Sequence, residues 1–250
     1  MLNYIRAELW KLRRRKYLWV LLAVMLGLEG LFALLSSWHR QFSEMVELGA
    51  ATMPLGLYLS IFLADMVFSD QYKIGALKNE ISFGLPRRRI YLGKLCAALV
   101  TGLASCALLL AFYLGFAWLV TGGRGDPAAI RESLALLGWV VLAALPLWVG
   151  MLGLSVAAFF LIKSELIAAA VLFFSLNVVP VVLGLASLIR GNPFSRALEL
   201  LVNLMPVTFF SQFAGALTWA FMARCWAVGL GWLALSAAAG FSVFRRRQIL

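Results

Sequence analysis

The feature that most constrains this chain is a succession of long runs without one charged side chain, at 95–123, 133–162, 166–189, 200–223 and 225–244. Two more come earlier: Tyr17 to Trp38, interrupted only by Glu29, and Leu48 to Ala64, which continues past Asp65 toward Asp70. A helix rises about 1.5 Å per residue, so roughly 20 apolar residues cross a hydrocarbon core about 30 Å thick. Composition agrees, with 63% of side chains apolar, 13% charged and a mean hydropathy of +0.93. A soluble domain runs nearer half apolar and a quarter charged. Within 250 residues such runs leave no room for a soluble catalytic domain, and the expected fold is an all-α integral membrane bundle.

Seven runs are candidates, and parity decides how many cross. The N-terminus carries Arg6, Lys11, Arg13, Arg14, Arg15 and Lys16, and the C-terminus carries Arg245, Arg246 and Arg247. Basic flanks favour the cytoplasm, which places both ends inside and makes the number of spans even. The run at 200–223 is the weakest, being broken by Pro206 and dotted with Asn203, Thr208, Ser211, Gln212 and Thr218. It suits a re-entrant outer segment of two short helices. Six transmembrane helices follow, at about 17–38, 52–69, 95–120, 134–162, 166–188 and 225–244. Thr52 and Pro54 supply the start of the second, while the longer runs must tilt, kink at Pro146 or continue into the loop around Gly122 and Pro127. In this arrangement 16 of the 22 basic residues lie inside and six outside, the bias a polytopic bundle should show. The first span is too long, and its end too bulky, for a cleaved signal peptide.

The net charge of +11 therefore reads as topology, and nucleic acid is discounted as a partner. Cys96, Cys106 and Cys225 lie in apolar stretches without C-x-x-C spacing, so neither a disulfide nor a metal is implied. No phosphate-binding G-x-x-x-x-G-K-[ST] loop occurs, His39 is the only histidine, and there is no zinc motif or serine elbow. Enzymatic chemistry is not expected in this chain.

Three features carry functional expectations. Leu2, Ile5, Leu9 and Leu12 recur at helical spacing ahead of the basic cluster, the pattern of an amphipathic helix over 1–16 lying in the membrane interface, or of a simple orienting anchor. The loop at 70–94 is the only sizeable one on the inner side. There Ile74, Leu77 and Ile81 line one helical face, with Lys78, Asn79 and Glu80 beside it. A surface ridge of this kind rests on headgroups or docks on a cytoplasmic partner. The third feature is a pair of intramembrane acids. Asp65, one turn from the end of its span, reads as half of a structural ion pair. Glu29, near the midplane, meets either a cationic substrate or water in a pathway, or is a buried polar fastener bonding a partner such as Asn177.

The N-terminal stretch LNYIRAELWKLRRRKYLW and the loop GALKNEISFGLPRRRIYLGKL at Gly75 to Leu95 resemble ABC-2 type transporter permeases. The resemblance covers the whole chain and is closest to the short permeases of bacterial lantibiotic-immunity and bacitracin-resistance exporters. It implies six spans, a re-entrant outer segment between the fifth and sixth, an interfacial connecting helix at the N-terminus and a coupling helix in the 70–94 loop. It further implies an ABC ATPase as partner, contacted by Ile74, Leu77, Lys78, Asn79, Glu80 and Ile81 and by Glu165 in the second inner loop. ATP and magnesium would then sit on that ATPase, with no cofactor in this chain. A second permease copy or paralogue and membrane lipids complete the partners, in a bacterial cytoplasmic membrane. Glu29, Asn177 and the outer segment are the expected substrate pathway, and peptides acting at the outer face are the expected cargo.

The alternative from another class is a self-contained cation-coupled transporter or channel using Glu29 and Asp65, which needs broken helices at matching positions in two halves. Pro146 and Pro180 have no counterpart in the first three spans. A sensor that couples to an ATPase without moving cargo shares every ATPase contact.

Overall fold

A computed structural model describes residues 1–68, 80–162, 164–189, 193–213 and 218–246. Every regular element among them is an α-helix: α1 (Leu2–Arg14), α2 (Lys16–Ser36), α3 (Phe42–Ala51), α4 (Leu55–Phe68), α5 (Arg87–Thr121), α6 (Pro127–Leu161), α7 (Glu165–Ser187), α8 (Ser195–Asn203), α9 (Pro206–Phe210) and α10 (Trp219–Arg246). Five of these are long and apolar enough to cross a membrane, namely α2, α5, α6, α7 and α10, and α3 with α4 makes a sixth if the bent pair is one span.

The helix boundaries follow local chemistry. Pro127 opens α6 at a position where the missing N–H costs nothing, and the Ser164 hydroxyl accepts the Ile167 N–H at 3.4 Å to cap α7. Two glycines with positive φ, Gly122 (63°) and Gly123 (65°), close α5, returning their N–H groups to Leu119 O and Trp118 O. The α5–α6 turn is then pinned to the start of α3 by Phe42 N–H donating to Arg124 O at 2.8 Å.

Helix α6 is the most enclosed of the long helices, and its closest partner is α10. The two backbones touch where Gly229 meets Gly150 and Pro146, the small-residue approach that drives helix packing in lipid. Pro146 also removes the N–H that would bond Leu142 O. The Trp226 indole of α10 supplies the replacement, donating to that carbonyl at 3.2 Å.

The second span departs from the single helix expected at 52–69. A helix begins ten residues earlier, at Phe42, breaks at 52–54 and resumes as α4 with a bend of 57°. Pro54 has no N–H to offer Ala50 O, which accepts the Met53 N–H at 3.3 Å instead. Trp148 of α6 braces the break, its indole donating at 3.1 Å to Met53 O, which also accepts the Gly56 N–H at 3.1 Å. Trp148→Phe should therefore destabilise the protein by about 0.5–1.5 kcal/mol, read as a lower midpoint of thermal unfolding in detergent. An unchanged midpoint would show that the indole bond contributes nothing.

In the last third, two short helices, α8 and α9, occupy 195–203 and 206–210, and α10 already begins at Trp219. Helix α8 lies against α7, and the Trp232 indole of α10 donates to Leu204 O at its C-terminus at 2.7 Å.

Candidate functional site: a buried ionic clasp

One face of α1 presents Tyr4, Glu8 and Lys11, which follow one another at helical spacing. This face lies against the first turns of α5, where Lys94 is fully buried, and against Glu80, the first described residue after the segment 69–79. Lys94 Nζ lies 3.0 Å from Glu8 Oε2 and 3.6 Å from Glu80 Oε1. Lys11 Nζ repeats the pairing from the outside, 2.6 Å from Glu8 Oε1 and 3.3 Å from Glu80 Oε1. The Tyr4 hydroxyl donates to Glu80 Oε2 at 2.9 Å. Two carboxylates and two ammonium groups thus alternate around a closed ring whose members come from α1, α5 and residue 80. The Tyr4 ring lies so close to α5 that a Cβ at Gly93 would strike its edge.

The electrostatics are those of a satisfied buried cluster. Burial pushes the Glu8 carboxyl up, but the Lys94 ammonium beside it and the hydrogen bonds from Lys11 and Lys94 outweigh that and hold it below its ordinary value. Burial pulls Lys11 down, and its bond to Glu8 and the charges of Glu8 and Glu80 carry it above its ordinary value. Tyr4, raised by burial and by the two neighbouring carboxylates, stays a proton donor. The sign of the pH dependence follows. Glu8's contribution is complete above the unfolded value near 4.3 and is lost as pH falls through the lower folded value, while Lys11's is complete below about 10.4 and is lost as pH rises through the higher folded one. Thermal stability in detergent should therefore be flat between these limits and fall on the acid side, and Glu8→Gln should flatten the acid limb. An identical acid limb in the variant would assign the loss to other groups.

Glu8 and Lys94 were not among the expected site residues, although Glu8 three residues before Lys11 and a lysine opening an otherwise charge-free run were both visible. The expected apolar ridge of α1 faces the protein: Leu12 is buried and Leu9 packs on the core, while Leu2 stands exposed. Of the expected ATPase contacts, Ile74, Leu77, Lys78 and Asn79 lie outside the described residues. Glu80 is in the clasp, and Ile81 packs partly buried against the core, so it does not extend a free ridge. Glu165 opens α7, where an acid suits the helix N-terminus. It also lines a groove of about 510 Å³ between α4 and α7, whose walls include Tyr58, Phe62, Asp65, Phe173 and Phe174.

Glu29 and Asn177 are not brought together. Asn177 on α7 accepts the Tyr58 hydroxyl of α4 at 2.7 Å and donates to Phe173 O at 2.8 Å. Glu29 sits on α2, which packs against α5. Its Oε2 is buried without a hydrogen-bond partner among the described residues, and its neighbour Gly30 lies against Phe112 and Phe116.

Among known families, residues 4–185 match the one described as ABC-2 family transporter protein. No curated protein matches the chain. The match spans well over half of the 250 residues, and the chain belongs to this family. It is thus a multi-pass membrane protein of the permease class, the transmembrane and generally non-catalytic component that associates with an ABC ATPase.

Proposed function

We propose that the chain is the permease subunit of an ATP-driven exporter that expels antimicrobial peptides or similar amphiphiles, conferring immunity or resistance. In this reading it pairs with a second permease, identical or paralogous, in a bacterial cytoplasmic membrane, with both termini inside and α8 and α9 forming an outer re-entrant segment. ATP and magnesium are held by a separate ATPase, which docks on Ile74, Leu77, Lys78 and Asn79 of the 70–94 loop, with Glu165 as a second contact.

The observation that carries this reading is the clasp. Glu80 ends the proposed docking segment, and its carboxylate is bonded at once to Tyr4 and Lys11 of α1, with Lys94 of α5 close by. A displacement imposed on that segment by an ATPase closing on nucleotide is handed to an N-terminal helix and to a long spanning helix in one step. The groove between α4 and α7, with Tyr58, Phe62, Phe173 and Phe174 among its lining residues, suits the apolar part of an amphiphile. Glu29, on the α2 face toward α5, is a second polar point along a pathway.

The test is co-purification with a co-expressed ABC ATPase. Wild type is expected to co-elute and to stimulate ATP hydrolysis, and a Leu77→Asp, Lys78→Glu double variant is expected to lose both while still eluting as a monodisperse permease. Elution without any ATPase, together with cation conductance in liposomes, would overturn the reading in favour of a secondary transporter.

A further inference from the structure

Helix α1 ends at Arg14 and α2 begins at Lys16, so a single residue turns the chain from a short helix that is no candidate span into one that is. That residue, Arg15, is extended (φ −76°, ψ 123°), and its guanidinium donates to Met66 O at 2.6 Å, fixing the corner against α4. The outward side of the corner is organised as closely as the inward one. The Trp19 indole of α2 donates to Arg13 O at 2.7 Å, which ties its ring to the last turn of α1. Arg14 lies with Cζ 5.0 Å over the Trp10 ring. Between them is a cleft of about 430 Å³ lined by Trp10, Arg13, Arg14 and Trp19.

Two facts distinguish this cleft from a belt of orienting charge. Lys11 and Lys94, close by, are consumed by carboxylates, whereas among the described residues neither Arg13 nor Arg14 has a carboxylate within ion-pairing distance. Both indoles are also more than half exposed, Trp10 at 60% and Trp19 at 54%, although each is held in place by a specific contact. Exposed indoles settle at headgroup level, and a guanidinium fork fits phosphate oxygens better than any other common anion at that depth.

We propose that this corner is a binding site for the headgroup of an acidic phospholipid in the leaflet on the N-terminal side. The phosphate meets Arg13 and Arg14 between the two indoles, and the acyl chains run down the exposed face of α2 over Val20, Val24 and Leu28. The proposal rests on the membrane-protein reading but needs neither an ATPase nor a cargo.

Native mass spectrometry of the full chain in detergent, titrated with phosphatidylglycerol or phosphatidylcholine, tests it. Wild type is expected to retain phosphatidylglycerol roughly tenfold more tightly than phosphatidylcholine. Arg13→Gln, Arg14→Gln should abolish that preference, and the equally basic control pair Arg88→Gln, Arg89→Gln should keep it. Equal loss in both double variants would mean diffuse surface charge, and no preference in wild type would mean no site. Displacement of the lipid by millimolar inorganic phosphate would mean a free-anion site. Each overturns the proposal. Should the arginine variant not purify as a single species, Trp10→Leu replaces it, with a fivefold weakening expected and an unchanged preference counting against the site. Recovery of the wild-type chain without detergent would instead remove the membrane reading itself.

Discussion

Lys94→Met is expected to lower stability by about 1.5–3 kcal/mol, the cost of taking one of two charged partners from a buried carboxylate. Lys94 is fully buried and Glu8 nearly so, and when the ammonium is gone Glu8 keeps only Lys11, whose side chain is 48% exposed. The measurement is the unfolding midpoint in detergent, read beside that of Glu8→Gln and of the double variant Glu8→Gln, Lys94→Met. Removing both charges relieves the stranded acid, so the double variant should be more stable than Lys94→Met alone. Additive losses would show that the two residues act independently and that the ring is a coincidence of spacing.

Gly229→Leu is expected to do more damage than any other single change in the membrane-spanning part. A Cβ at Gly229 would meet the Pro146 carbonyl and the Leu147 nitrogen, and one at Gly150 would meet Gly229 O. These are backbone atoms that no rotamer change can move. Overpacking ordinarily costs about 1–3 kcal/mol because side chains shift to absorb it. Here α6 and α10 must separate, which also draws the Trp226 indole away from Leu142 O and exposes the carbonyl that Pro146 had freed. The expected result is loss of the monodisperse species on size-exclusion chromatography, with Gly231→Leu, at a glycine that faces open space, as the tolerated control. A folded Gly229→Leu protein would mean that the two helices are not in backbone contact.

Much of this architecture could be read from the residues. Long apolar runs with few or no charges marked the long helices because a spanning segment leaves little choice of composition, and the loop residues around Gly75 to Leu95 pointed to the ABC-2 permeases, the family to which the chain belongs. The bent pair of α3 and α4 was harder, since Leu48 to Ala64 carries no charge and Thr52 with Pro54 reads as the start of a helix and not as a bend within one. The use of tryptophan was not legible at all. Trp19, Trp148, Trp226 and Trp232 each donate an indole N–H to a carbonyl at a helix end or break, a role set by three-dimensional neighbours and absent from any spacing rule. The clasp was half visible. Glu80 was singled out as a surface residue for a partner, yet its carboxylate turns inward, because Lys94 on a helix that begins at Arg87 offers it a buried charge that linear reading had assigned to a loop.

The lengths of the helices make the surrounding lipid an active variable. Helices α5 and α6 have 35 residues each, about 52 Å of rise against a hydrocarbon core near 30 Å. Both exceed the height of the bilayer, so α5 leans or protrudes. Lys94 lies about 10 Å along α5 from Arg87, so it is the first charge of that helix reached by a thickening bilayer. Acyl-chain length thus bears directly on the ring of charges that joins α1 to α5, with no ligand involved.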